Sequence, residues 1–497
     1  MRVVAHYTGY LIVFLGIAMV IPLAISIAHH DTAITTNYLF SMGIALIVGF
    51  LLCMCKINPT NLKRKQAVVI TALAWLVCSL VAAIPLFLSG HYASYFDSLF
   101  ESMSGFTTSG FSLCLDMEHL SASDNVWRFI MHFIGGQGVI VIAMSIGAFA
   151  RSGSRAALYD AEGRHDHVMP EIRQTTLFIV KFSVVAIVIS AIVMTIMLLI
   201  KGMNVPDAIL HGSCLTIAAY DTAGFSLTSA GLPYYHDWAL EIACMFVMVI
   251  GAISFSLYYR LLNGRIRDFF KDFELRSYAV WIVVVVVFVT ITLCAGDHLN
   301  GLNALLRKGI FTVISATTST GSQVIPPEQM TGLVPTGAIC MVAIAMAVGG
   351  MSESMAGGMK ALRLGIVAKE IILRIKQVLS PDSARMVSTY EHLGRKVISK
   401  DAASSALVIV SLFLGSIMVG AAITMAFGYE PSRALFESVS ATCNNGLSSG
   451  IIAPGMPTGL EIMYFIQMWF GRLEFLTVLA CIFALFTSLT PKKRRSR

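Results

Sequence analysis

Residues 102–112 read SMSGFTTSGFS, and three later segments repeat the pattern: TIAAYDTAGFS (216–226), VISATTSTGSQ (313–323) and SVSATCNNGLS (438–448). In register, each is organised around a glycine, Gly110, Gly224, Gly321 and Gly446. Six and five residues before it stands a small pair: Ser104-Gly105, Ala218-Ala219, Ser315-Ala316 and Ser440-Ala441. Two residues after it stands a polar side chain, Ser112, Ser226, Gln323 or Ser448. Self-similarity of this kind marks a chain built from one repeated unit.

The surroundings of the four segments are membrane-like. Of 497 residues, 56% are hydrophobic and 13% charged, about half the charge of an ordinary soluble domain. Long uncharged runs recur, including Leu11 to Ile27, Val68 to Leu88, Phe182 to Ile200, Val280 to Cys294, Ile339 to Val348, Ala406 to Phe427 and Ile462 to Leu489. Several reach the roughly 20 residues that a spanning helix needs. The first apolar stretch, Tyr10 to Ala28, exceeds a signal-peptide core and lacks a clear cleavage site, so it reads as the first membrane helix.

Charge is distributed by side. Basic residues gather in alternate connections: Lys56 to Lys65; Arg151, Arg155, Arg164 and Arg173; Arg260 to Arg276; Lys360 to Lys400; and the tail PKKRRSR. The connections between them carry mainly acids, such as Asp97, Glu101, Asp116, Glu118, Asp207, Asp221, Asp237, Glu328, Glu430 and Glu437. The positive-inside rule makes the basic set cytoplasmic, which accounts for the net charge of +7 without a nucleic-acid partner. Both termini then lie inside and the number of crossings is even. The expected fold is an all-α integral membrane protein of about ten transmembrane helices. Two N-terminal helices (1–65) precede four helix–pore loop–helix repeats around one pore: 66–165, 166–272, 273–395 with a candidate gate, and 396–497 with a basic tail.

Each repeated segment lies between two crossings and is too short to span, so it enters as a half-helix and returns as irregular backbone. Such backbone is tolerated at membrane depth only where it is buried or lines water. Four returning loops on one axis present rings of carbonyl oxygens, which can replace the hydration shell of a monovalent cation, and glycine permits the backbone turns that aim them. The candidate K+ ligands are Thr108, Ser109 and Gly110; Thr222, Ala223 and Gly224; Ser319, Thr320 and Gly321; and Asn444, Asn445 and Gly446. Asp221 is expected to add attraction at the outer mouth.

A second landmark recurs in the closing helix of each repeat. FIGGQGV, VIGAISF, AVGGMSE and WFGRLEF align on Gly135, Gly251, Gly349 and Gly471; the following position is Gly136, Ala252, Gly350 and Arg472. An arginine within an apolar helix must face a cavity or an anionic partner, and below a cation filter it opposes passage. In MAVGGMSESMAGGMKALR (346–363), Gly349, Gly350, Gly357 and Gly358 each weaken helix by about 1 kcal/mol relative to alanine. The segment is therefore expected to unwind into a plug, with Ser352, Glu353 and Ser354 placed to meet Arg472 or ions. Pairing of Arg472 with Glu474 or Glu353 is the purely structural alternative.

These four filter segments, the GGMSESMAGGMK loop, the FGRLE arginine and the two extra N-terminal helices resemble the Trk/Ktr/HKT superfamily of potassium transporters, specifically the bacterial Trk-type ion-translocating subunit. The resemblance covers nearly the whole chain. It implies a pseudo-fourfold pore selecting K+ as the transported ion, in a bacterial inner membrane protein. It also implies a homodimer in membrane lipid, gated by a cytoplasmic ring of nucleotide-binding RCK-type subunits docked on the basic loops, with no nucleotide bound by this chain itself. Glycine at all four filter positions is similar to the potassium-selective members. The loop departs from the more usual GGCSGSTAGG at Glu353 and Met355, and TSTG and NNG differ from the first two filters.

Other features carry less. His165-Asp166-His167, near Asp160 and Glu162, has metal-ligand types without a closed-site spacing. The ten cysteines read as small membrane apolars. No P-loop, dinucleotide fingerprint or nucleophile elbow is present, and no facing catalytic pair indicates an intramembrane enzyme. A coupled symporter working with H+ or Na+ by alternating access is the second transport reading; it would be expected to rock two halves rather than to present four equivalent loops.

Overall fold

The computed structural model describes residues 2–55, 63–138, 172–295, 305–327, 329–330, 334–381 and 387–489. The basic residues Lys56, Arg151, Arg155, Arg164 and Arg385, Glu328, the histidine pair at 165–167, the tail PKKRRSR and the 165/166 boundary lie outside these.

Helices dominate the described residues, in the order that the repeats dictate. Two N-terminal spans, Arg2–Ala18 continued by Val20–Ala28 and then Thr32–Cys53, come first. Their contact is close because glycines face each other: a methyl group on Gly9 would strike the Gly49 carbonyl and the Cys53 amide, and one on Gly16 would press on Ala45. Small residues bring membrane helices together in this way.

Four triplets follow, each a long helix, a short helix and a closing helix. They are Arg64–Leu88, Tyr95–Thr107 and Ala122–Gln137; Ile172–Ile200, Val205–Tyr220 and Trp238–Ala252; Phe273–Ala295, Phe311–Thr317 and Thr336–Val348; and Lys400–Ala426, Pro431–Thr442 and Thr458–Arg472. Among the described residues, six helices are long and apolar enough to cross a membrane, or eight if each of two bent pairs is one span, Trp238–Ala252 with Phe255–Leu262 (95°) and Thr458–Arg472 with Leu476–Thr487 (107°). Ala122–Gln137 and the apolar Thr336–Val348 occupy the two remaining closing positions of the expected ten.

The long helices expose apolar faces. On Ile172–Ile200, Val184, Val185, Val188, Ile189, Ile192, Val193 and Ile196 are exposed, whereas Ile179, Ser183, Met194 and Leu198 are buried. An apolar stripe of this size is a lipid surface rather than a wet one.

The short helices are begun by specific residues. Ser94 caps Tyr95–Thr107 in a capping box with Asp97. Pro206 and Pro431 occupy the first turns of the second and fourth short helices, where a missing N–H is harmless. The third short helix is preceded by a π-turn, Leu305–Ile310. On the acidic side, Glu118 accepts hydrogen bonds from the Ser229 amide and hydroxyl, which tie repeats one and two and hold its carboxyl below the usual range.

Each closing helix that is described past its landmark glycine breaks there. In the third repeat the break is the irregular segment 349–360, followed by the amphipathic helix Ala361–Val378 and an antiparallel hairpin, Thr389–Glu391 with Arg395–Val397.

Candidate ion site

The four loops after the short helices share one backbone conformation. Two positions in each have positive φ: Thr108 (56°) and Gly110 (76°), Thr222 (49°) and Gly224 (69°), Ser319 (57°) and Gly321 (78°), Asn444 (52°) and Gly446 (97°). The intervening residue closes the same turn each time. The amides of Ser109, Ala223, Thr320 and Asn445 donate to the carbonyls of Ser104, Ala218, Ser315 and Ser440, all at 2.9 Å. Those acceptors are the first members of the small pairs.

The loops meet in a closed cycle. A methyl group on Gly110 would overlap the carbonyl oxygen of Ala223; on Gly224, that of Thr320; on Gly321, that of Asn445; and on Gly446, that of Ser109. Each glycine thus makes room for the carbonyl of the next repeat, and the fourth repeat closes on the first. On the acid-bearing side, all four glycines line one cavity of about 330 Å³ with Ser112, Ser226, Gln323 and Ser448.

Side chains brace the cycle from behind. The hydroxyls of Thr107 and Ser109 pair at 2.8 Å, as do those of Thr318 and Thr320. Asn444 donates to the Ser109 hydroxyl and Asn445 to the Ala316 carbonyl, each at 2.9 Å. Gln323 donates to the Ser448 carbonyl at 2.9 Å. The Thr222 and Ser319 hydroxyls are buried and have no hydrogen-bond partner among the described residues.

Two carboxylates expected among the outer acids are instead buried in this brace. Glu101 accepts from the Ser112 hydroxyl (3.0 Å), the Leu113 amide (2.9 Å) and Arg128 (2.8 Å). Arg128 reaches onward to the Ser226 carbonyl at 3.1 Å and lies over the Phe225 ring. In the fourth repeat, Glu437 accepts from Ser448 and Ser449 hydroxyls and from the Ser449 and Ile452 amides, at 2.6–3.0 Å. The polar residue after the filter glycine is therefore the tether to a glutamate nine positions before that glycine. The signal was present as the identical triplets Phe100-Glu101-Ser102 and Phe436-Glu437-Ser438.

Below the loops, the landmark glycines support the short helices. A methyl group on Gly135, Gly251 or Gly471 would overlap the carbonyl of Phe106, Tyr220 or Thr442, the residue four before each filter glycine. The third repeat differs. Its matching carbonyl, that of Thr317, accepts from the Tyr278 hydroxyl at 3.0 Å, and Gly349 packs instead on Gly357 and Gly358. That exchange lets the 349–360 segment fold back under the loops. The amides of Met351 and Met355 donate to the carbonyls of Ala252 and Gly251, and that of Gly358 to Cys443.

Arg472 completes this lower layer. Its guanidinium donates to the Gly135 (2.7 Å), Gly136 (3.1 Å) and Met355 (3.1 Å) carbonyls and to the Thr108 hydroxyl (3.2 Å). Glu474 pairs with Arg363. Arg472, Glu353, Ser354, Gly357, Gly358 and Lys360 line a cavity of about 60 Å³. Ser352 faces elsewhere, its amide donating to Glu274 at 2.6 Å. Asp221 is not at the outer mouth: it is buried against Gly136, and its oxygens accept no hydrogen bond from the described residues. Its place at the last turn of a short helix, directly before Thr222, puts it on the inner side of the loop.

This architecture has known counterparts. The crystal structure of the potassium transporter TrkH from Vibrio parahaemolyticus superposes with a TM-score of 0.80, covering 99% of this chain and 98% of that one at 21% identity. An uncharacterized cation transporter of Methanocaldococcus jannaschii is 31% identical over 484 residues, 97% of this chain and 95% of the relative. The Trk system potassium uptake proteins TrkH of Halomonas elongata and of Escherichia coli are 26% and 25% identical, each over 96% of this chain and 97% of the relative. Residues 32–488 match the TrkH family of cation transport proteins. The chain is a membrane-spanning ion transporter rather than an enzyme, and it belongs to that TrkH cation transport family.

Proposed function

We propose that the chain conducts K+ into the cell through one pore on the axis of the four loops. The observation that carries this reading is the closed cycle of glycine–carbonyl contacts, which gathers one loop from every repeat around a common centre. The carbonyl-bearing segments 108–110, 222–224, 319–321 and 444–446 coordinate the dehydrated ion, and the buried hydroxyls of Thr222 and Ser319 offer further oxygens below them. Relatives named as potassium uptake proteins support K+ as the cargo.

The 349–360 segment and Arg472 form the closed gate. Burying an arginine at membrane depth costs about 3 kcal/mol, which hydrogen bonds of about 1.5–3 kcal/mol each to a charged group offset. A gate held this way opens when the segment withdraws, because the Met355 carbonyl leaves with it. Both termini are cytoplasmic, the protomers pair as a homodimer, and a cytoplasmic nucleotide-binding ring, of the kind a Trk system employs, acts on the basic loops. The five-part division at residues 65, 165, 272 and 395 belongs to the same reading.

The test is ion flux from proteoliposomes holding the purified chain alone, with K+, Rb+, Na+ and Li+ compared and a proton gradient imposed or collapsed. Passive K+ and Rb+ flux above Na+, indifferent to the gradient, is the expected result. Flux that requires an H+ or Na+ gradient would replace the conduit with the coupled symporter.

A further inference from the structure

Away from the proposed ion path, Asp272, Glu274 and His392 bring one donor atom each within 4.8 Å of one another, and all three are buried. Asp272 and Glu274 stand at the junction of the second and third repeats, at the start of Phe273–Ala295. His392 comes from the turn of the hairpin some 120 residues later, whose amide donates to the Gly394 carbonyl.

Each carboxylate is held by one oxygen and offers the other. Asp272 Oδ1 accepts from the amides of Glu274 (2.9 Å) and Leu275 (3.2 Å), and its Oδ2 lies 3.1 Å from His392 Nδ1. Glu274 Oε1 accepts from the amides of Ser352 (2.6 Å) and Leu362 (3.1 Å). Its Oε2 is fully buried, has no hydrogen-bond partner among the described residues, and points to His392 Nδ1 at 3.9 Å. Lys360 is the nearest cation from the loop, but its ammonium is turned to the Ala356 carbonyl.

We propose that Asp272 Oδ2, Glu274 Oε2 and His392 Nδ1 bind a divalent transition-metal ion of the zinc class. One imidazole and two carboxylates are donors that Zn2+, Mn2+ and Co2+ accept, with a water in the open position. Metal–donor bonds of about 2.1 Å place tetrahedral donors about 3.4 Å apart, so the cluster needs contraction of only about 1 Å. The second oxygen of each carboxylate, pinned by backbone amides, supplies the outer shell that orients such ligands. A cavity of about 190 Å³ lined by Asp272, Asp268, Lys271 and the hairpin residues Glu391, Gly394 and Arg395 gives an entry route. Because Glu274 holds the amides at both ends of the 352–362 segment, the bound ion fixes the hairpin and that segment to one point.

The test uses tag-free, full-length protein in detergent, stripped with a chelator and titrated with Zn2+ against a competing fluorescent chelator. One ion per chain is expected, with affinity lowered about 100-fold or more in His392→Gln and in Asp272→Asn, and unchanged in His119→Gln. X-ray absorption of the zinc-loaded wild type is expected to give a nitrogen/oxygen shell. Hydrogen exchange at 352–362 should slow, by up to about 100-fold at a Zn2+ concentration 100 times the dissociation constant. Binding that survives both cluster variants, a sulfur-containing shell, or the absence of stoichiometric binding would each overturn the site. None of these readouts depends on K+ conduction.

Discussion

At the scale of single residues, the filter glycines and the buried glutamates do different work. Gly110 has a φ of 76° and a neighbour's carbonyl where a side chain would begin. Gly110→Ser must therefore displace the Ala223 carbonyl. The K+/Na+ flux ratio is expected to fall about tenfold, equivalent to about 1.4 kcal/mol of lost discrimination, when measured in proteoliposomes; an unchanged ratio would remove Gly110 from the filter. Glu101→Ala strands Arg128, a fully buried cation, and is expected to destabilise by about 3–5 kcal/mol, read as a drop in thermal midpoint. The double variant Glu101→Leu/Arg128→Met should regain part of that loss, because no charge is left unpaired. If the double variant is no more stable than the single one, the pair is not coupled in this way.

At the scale of elements, the proposed gate rests on two partners that can be altered separately. Arg472→Ala removes four hydrogen bonds that hold repeat four to repeat one and to the 349–360 segment. K+ efflux from vesicles holding the chain alone is expected to rise, and unaltered flux would make the arginine structural. Deleting residues 350–357 should leave a conducting pore; a folded variant that conducts nothing would contradict the gate. The short helices and their loops were legible in the sequence because the same glycine, small pair and polar residue recur four times. The third repeat was legible only in part. Gly349 aligns with Gly135, Gly251 and Gly471, yet the Tyr278 hydroxyl takes over the support of Thr317, and a contact from a neighbouring helix leaves no periodic trace. Asp221 was misplaced for a related reason. Charge counting assigns a residue to one side of the membrane, whereas its depth depends on which turn of a re-entrant helix carries it. Glu101 and Glu437 were counted only among the acids of the outer connections, because an acid's destination is set by the amides that fold back onto it, which composition does not register.

For the whole molecule, the repeats explain why one chain can enclose an axis without assembling subunits. Each carries its own long helix and contributes one loop; the loop backbone is gathered at the centre, while apolar faces such as that of Ile172–Ile200 look outward. The three unlike additions, Arg472 in the fourth repeat, the loop in the third and Asp221 in the second, all fall on the inner side and break the fourfold equivalence there. The four loops themselves keep it, as their shared backbone angles record. In the proposed function, the equivalent layer selects the ion and the unequal one controls its flow. The most direct test is crystallographic: grow crystals in Rb+ and measure its anomalous scattering. The account predicts peaks on the axis within coordination distance of the carbonyls of Ser109, Ala223, Thr320 and Asn445. Ordered Rb+ elsewhere in the protein, with none between the four loops, would contradict it.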